Sequence, residues 1–244
     1  MATLFISDLH LDAKRPAITQ AFLHFLQNQA KGADALYILG DLFEAWIGDD
    51  DDAPLATEVQ RALKQYSALG HPLYIMQGNR DFLLGDGFCT HTGATLLEDP
   101  TTVDLYGTPT LLMHGDTLCT DDVDYQAFRA QARSPQWQAP LLAQPLPVRR
   151  QLAADIRSKT QSLAAMKAED IMDVNRDEVI RVMGANAVTR LIHGHTHRPA
   201  RHPVALPSNA AGERIVLGDW HNALWYLTVD AHGCELLSEP IAES

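Results

Sequence analysis

Cysteine is scarce in this chain, with only Cys89, Cys119 and Cys234 among 244 residues. An odd and widely spaced set speaks against a disulfide framework and suits reduced thiols in a cytoplasmic compartment. Basic residues are also the minority, 19 Lys and Arg against 31 Asp and Glu. The net charge of −12 excludes broad nucleic-acid binding, because neutralising phosphates needs a basic face. Long apolar runs are missing, and "MATLFISDLH" places no basic segment before its short apolar stretch, which argues against a signal peptide or membrane span. The expectation is a cytoplasmic protein without an obligate protein partner, still able to touch a membrane surface. Repeats and low-complexity segments are absent too, and 46% hydrophobic with 20% charged residues is the composition of a globular chain. At this length we expect one domain over 1–244, with one appendage.

The scarce positive charge is unevenly spread. Between residues 125 and 170 stand seven basic residues (Arg129, Arg133, Arg149, Arg150, Arg157, Lys159 and Lys167) against three acids (Asp155, Glu169 and Asp170). The same segment holds "QWQAPLLAQPLPV" and then a helical stretch with Leu152, Ile156 and Leu163 at roughly helical spacing. It reads as a helical cap or insertion at about 120–170, standing over a site formed by the rest of the chain.

Outside it, short apolar runs end repeatedly in polar residues. "TLFIS" leads to Asp8 and His10, "ALYIL" to Asp41, "LYIMQ" to Asn79, "TLLM" to His114 and "RLI" to "HGHTH". Such runs read as buried strands. Helical patterns lie between them, with Ile18, Phe22, Phe25 and Leu26 on one face and Leu55, Val59, Leu63 and Tyr66 on another. The alternation predicts parallel βαβ units, and therefore a site outside the carboxyl ends of the strands. After residue 184, "RIVLG", "ALWYLTVD" and "CELLS" predict a second, mixed or antiparallel sheet covering the first.

The strand-end residues are Asp8, His10, Asp41, Asn79, His114, His195 and His197. Singly, each is more often a turn residue, a helix cap or a hydrogen-bonded structural group. Together they supply what a pair of divalent ions requires, namely a shared carboxylate with imidazole and oxygen donors on each side. Asp8, His10 and Asp41 fill one side, Asn79 and His114 the other, and Asp41 is shared. His195 and His197 diverge, one to each ion, and His193 is not a ligand. Two such ions outweigh the two aspartates, so the centre would attract an anion such as a phosphate or diphosphate.

The blocks "DLH", "GDLFEAWIGD", "GNRD", "HGD" and "GHTH", in this order across nearly the whole chain, resemble the calcineurin-like metallophosphoesterases, and most closely their lipid A branch. The resemblance implies an α/β fold, a four-layer αββα metallophosphoesterase sandwich, and two Mn²⁺ ions held by the seven residues above. Manganese does not follow from the donors, since mixed Asp, Asn and His sites accept several first-row ions. Much of the superfamily carries "GNHD", whereas this chain has Arg80, which cannot donate a proton but can clamp phosphate oxygens. For this branch the implied reaction is hydrolysis of the diphosphate of UDP-2,3-diacylglucosamine. Water attacks the α-phosphorus to give UMP and 2,3-diacylglucosamine 1-phosphate.

By the same resemblance Asp41, Asn79, Arg80 and His195 are catalytic. Asn79, Arg80, His195, Asp122, Thr160 and Lys167 contact this lipid-linked nucleotide sugar, with Tyr125 and Arg157 as neighbours. Where relatives carry Asn the chain has Ala164, which removes an amide from that set. Leu141, Leu142, Leu152 and Ile156 either line a groove for acyl chains or simply pack the cap down. The basic excess binds substrate phosphates or draws the protein to an anionic membrane surface as a peripheral protein on the cytoplasmic face of the inner membrane. The rival readings are a dinuclear phosphodiesterase acting on cyclic nucleotides or dinucleotides, and a scaffold that has lost catalysis. The run "GDDDDAP" is expected to be a solvated loop and helix cap, and Trp46, Trp220 and Trp225 to be packing residues.

Overall fold

The computed structural model describes residues 2–164, 173–207 and 210–241. In chain order its elements are β1 (Thr3–Ile6), α1 (Pro16–Gln27), β2 (Ala35–Leu39), α2 (Pro54–Ala68), β3 (Leu73–Met76), α3 (Asp86–Thr92), β4 (Thr95–Leu97), β5 (Thr101–Leu105) and β6 (Thr108–Met113). They continue as α4 (Val123–Ala132), α5 (Pro135–Leu142), α6 (Leu146–Ala164), α7 (Arg176–Ala185), β7 (Arg190–His193), β8 (Ala200–Ala205), β9 (Ala211–Val216), β10 (Ala223–Asp230) and β11 (Gly233–Pro240).

Burial explains how these elements layer. In β1, Leu4 and Ile6 face α1 and α2, in one core with Phe22, Phe25, Val59 and Leu63. Phe5, between them, points to the opposite side and meets Leu39, Met76, Leu112, Ile192 and Ile215, which come from both sheets. The period-2 alternation of a strand thus serves two cores at once. On the far side, Leu111, Met113 and Leu191 pack against Val179, Val182 and Met183 of α7. The result is the expected αββα stack. A pyrrolidine ring opens both α1 and α2, where its missing N–H costs nothing. The side chain of Asn175 caps α7 by accepting from the amides of Asp177 and Glu178.

The first sheet runs β11-β10-β1-β2-β3-β4 and the second β5-β6-β7-β9-β8. β1 to β4 are parallel, and so are β6, β7 and β9. One expectation needs correcting: β10 and β11 do not belong to the covering sheet but extend the first one, through the antiparallel pairing of β10 with β1. The second sheet begins earlier than expected, at Thr101. Among the described residues, no helix is long and apolar enough to cross a membrane.

Candidate metal centre

The loops that follow the parallel strands carry the seven donors and are stitched to one another by backbone bonds. Asp8 N–H donates to Gly40 O (3.1 Å), His10 N–H to Asp41 O (2.9 Å) and Gly194 N–H to His114 O (2.8 Å). Loops of the two sheets are joined as well, His195 N–H donating to Asp8 Oδ2 at 2.9 Å and Trp220 N–H to Asp8 O at 3.0 Å. The backbone there is strained: Asp8, His10, Asp41, His195 and His197 all have positive φ, between 49° and 69°. Non-glycine residues visit that region at a cost and persist in it only where the surroundings hold them. Glycine supplies the space beside them. A Cβ on Gly78 would overlap the carboxylate of Asp41, and one on Gly194 that of Asp8.

The donors converge in two groups. His197 Nε2 lies 3.2 Å from His10 Nε2 and 3.4 Å from Asp8 Oδ1. Asn79 Oδ1 lies 2.9 Å from both His114 Nε2 and His195 Nδ1. Between the groups, Asp41 Oδ2 stands 3.8 Å from His10 Nε2 and 3.8 Å from His114 Nε2. Asp8, Asp41 and His114 are at most 1% exposed. The structure brings all seven strand-end residues together, with Asp41 in the middle and His195 and His197 on opposite sides.

Charge follows from this crowding. His114 is buried, which opposes protonation, yet Asp41, Asp116 and Asp8 push it up to about 9. Asp8, despite burial, is held far below the usual carboxylate range by His197, His114 and His10. The cluster favours positive charge among its carboxylates. His195 is driven down to about 4 by burial and by the neighbouring His114, so its ring is neutral and keeps a lone pair. These donors fit a pair of divalent ions: a central carboxylate, imidazole and amide donors on both sides, and a buried pocket that prefers a cation. His193, by contrast, turns away. Its Nε2 is 3.1 Å from Arg214 Nη1, its Nδ1 is 2.8 Å from Gly194 O, and burial with Arg214 pushes it down to about 3.

Three carboxylates escaped the strand-end pattern. Asp81 is fully buried and accepts from the amides of Gly78, Asp41, Leu42 and Phe43, so it shapes the loop bearing Asp41. Asp116 accepts from Tyr125 Oη (2.5 Å) and Arg129 Nε (2.7 Å), and the Tyr125 ring lies over His195 at 6.1 Å. Glu44 reaches His10 Nδ1 at 3.2 Å and pairs with Arg157. Asp81 and Asp116 sit inside the quoted "GNRD" and "HGD" blocks, and Glu44 inside "GDLFEAWIGD", which is the only sequence signal they give.

Helices α4, α5 and α6 adjoin this centre next to Asn79 and Arg80. Arg133, the residue that ends α4, donates to Gln77 Oε1 (2.8 Å) and to Gly78 O (2.9 Å), beside Asn79. Asp122 caps α4, accepting from Tyr125 N–H at 3.1 Å. A cleft opens between α5, α6 and the core, with Arg80 and Arg157 near its polar end and Trp46, Phe82, Trp137, Leu152 and Ile156 along its walls. Trp46 is a packing residue as expected, buried against Phe43 and Phe88, and it also borders this cleft. The acidic run is more than a solvated loop. Arg149, 4% exposed, donates to both oxygens of Asp50 and to Ile47 O, and Arg150 pairs with Asp51 and Asp52. The start of α2 carries no side-chain cap. Thr160 is on α6, but its side chain and all of Lys167 fall outside the described residues.

Comparison with known proteins gives a consistent picture. Residues 1–199 match the family model for calcineurin-like phosphoesterases. The chain is 58% identical over 236 residues to a protein of Cellvibrio japonicus named UDP-2,3-diacylglucosamine hydrolase, covering 97% of this chain and 98% of that one. It is 52% identical to a protein of the same name from Pseudomonas aeruginosa, covering 96% and 97%. Among solved structures, an archaeal phosphodiesterase shares the fold with a TM-score of 0.50 at 12% identity, over 98% of this chain and 100% of that one.

Proposed function

Because the chain belongs to the calcineurin-like phosphoesterases and, within them, to the UDP-2,3-diacylglucosamine hydrolases, we propose that it cleaves the diphosphate of UDP-2,3-diacylglucosamine by attack of water on the α-phosphorus. The products are UMP and 2,3-diacylglucosamine 1-phosphate, an intermediate of lipid A biosynthesis. The observation that carries this reading is the cleft itself. Asn79, one of the seven donors and in contact with His114 and His195, lines it beside Arg80 and Arg157, and an aromatic and aliphatic trough leads away beneath α5 and α6.

Asp8, His10, Asp41 and His197 would hold one ion and Asp41, Asn79, His114 and His195 the other, with manganese as the resident metal. Bound there, the ions supply positive charge to the phosphate oxygens and acidify the attacking water. Arg80 and Arg157 bind the diphosphate, and their permanent charge stabilises the charge that builds up as the bond breaks. The leaving group is a phosphomonoester, which needs less protonation than an alkoxide, so an arginine at position 80 is compatible with this chemistry. Asn79 and His195 face both metal and substrate, and Tyr125 covers His195. Asp122, Thr160 and Lys167 complete the contacts to substrate from the cap.

The trough takes the acyl chains. Each buried methylene contributes about 0.8 kcal/mol, so even partial burial gives strong selectivity for acylated over soluble nucleotide sugars. We read 1–244 as one domain with a cap at about 120–170. The protein works in the cytoplasm, peripherally at the inner face of the inner membrane, where its lipid-linked substrate lies.

The direct test compares turnover of UDP-2,3-diacylglucosamine, cyclic AMP and a soluble UDP-sugar by the manganese-loaded protein. Preference for either soluble compound would overturn the assignment. In heavy-oxygen water the label is expected on UMP, and label on the lipid phosphate would place the attack at the other phosphorus.

A further inference from the structure

Glu44 follows the short bridge that joins Leu11 to Phe43, and its backbone N–H donates to Leu11 O at 3.1 Å. Leu11 N–H in turn donates to Leu42 O at 3.0 Å. Residue 10 and residue 44 are thus held in register before either side chain acts. From that frame the two oxygens of one carboxylate serve different parts of the molecule. Oε2 faces His10 Nδ1 at 3.2 Å, and Oε1 takes the guanidinium of Arg157, which arrives from α6 of the cap. Glu44 and Arg157 are 16% and 27% exposed and His10 10%, so the junction is largely shielded from water.

We propose that Glu44 is a positioning residue that joins the metal-holding face to the cap, fixing His10 through its Nδ1 with one oxygen and setting Arg157 over the substrate phosphates with the other. The inference rests on the function proposed above. Glu44 Oε2 is the carboxylate oxygen within reach of His10 Nδ1, which has no hydrogen-bond partner of its own; a small rotation of either side chain would let Nδ1–H donate to it and leave the lone pair on Nε2. That atom points to Asp8 Oδ1 (4.0 Å), Asp41 Oδ2 (3.8 Å) and His197 Nε2 (3.2 Å), where an ion would be held. A carboxylate behind a ligating imidazole fixes both its tautomer and its ring orientation. The same carboxylate limits where Arg157 can go, so the cap cannot present its arginine without reference to the metal face.

Two kinds of readout test this. In ¹⁵N-histidine-labelled protein, His10 is expected as the Nδ1–H tautomer, and Glu44→Ala is expected to abolish that preference. By calorimetry, Glu44→Ala should weaken Mn²⁺ binding about 10- to 100-fold at one of two sites and leave the other within twofold. Arg157→Ala should leave both metal affinities within twofold while raising KM. The double variant should raise KM no further than Arg157→Ala alone, because the guanidinium no longer has a fixed position to lose. Should Glu44→Ala fail to fold, Glu44→Gln serves instead: the amide keeps the volume and can accept from Nδ1–H, so metal affinity stays within about tenfold while KM rises. Unchanged metal affinity and tautomer in Glu44→Ala, or KM effects that simply multiply, would overturn the proposal. Failure of the wild type to bind two ions would instead count against the function proposed above.

Discussion

The strand-end centre and the cap that adjoins it are held in different ways. Asp8, Asp41 and His114 lie at the ends of strands whose residues are wholly or mostly buried, and backbone bonds between loops lock them. In the cap, α5 has no buried residue and α4 only Ala132, and the attachment depends on arginines: Arg133 to Gln77 and Gly78, Arg149 to Asp50, Arg150 to Asp51 and Asp52. A centre built on sheet ends tolerates almost no displacement, whereas a cap tied by side chains can differ in composition without disturbing the ligands. In the function proposed above the centre holds the ions and the cap adds contacts to the substrate, and the two meet at the Glu44–Arg157 pair.

That division should show in graded losses. The largest is expected for Asp41→Ala, which removes the carboxylate between the two donor groups; turnover of the acylated substrate should fall by roughly 10³-fold or more. Gly78→Ala comes next. Its new Cβ collides with the Asp41 carboxylate, so Mn²⁺ affinity measured by calorimetry should drop about 10- to 100-fold and activity should partly return at high manganese. Arg149→Ala cuts a buried anchor of the cap but leaves the centre alone. A hydrogen bond to a charged group is worth about 1.5–3 kcal/mol, so KM for the acylated substrate should rise roughly tenfold while kcat and metal affinity hold. Arg150→Ala breaks a pair open to solvent and should change KM by less than about twofold. If Arg149→Ala weakened metal binding as much as Gly78→Ala, the separation of centre and cap would be lost.

Residues whose surroundings are local were legible in the sequence. Asp8, Asp41, Asn79 and His114 each follow an apolar run, and a run of that length has few alternatives to a buried strand. The positive φ shared by five donors was not legible, because left-handed backbone at Asp or His leaves no compositional trace beyond the glycines beside it. Nor was the sheet to which β10 belongs: an alternating strand declares two faces but not its neighbour. The roles of Asp50 and Glu44 were hidden for a related reason. Their partners, Arg149 and Arg157, lie about a hundred residues away on another element. A charge run by itself reads as solvated until the fold brings the opposite charge to it.

The most direct test of the central claim, that five strand ends assemble one two-ion centre, is the number of Mn²⁺ ions bound by the wild type and by His10→Ala, His114→Ala and Asp41→Ala. The account predicts two ions per chain in the wild type, one strongly bound ion in each histidine variant and none in Asp41→Ala. Two ions retained at wild-type affinity in Asp41→Ala, or a single ion in the wild type, would contradict it.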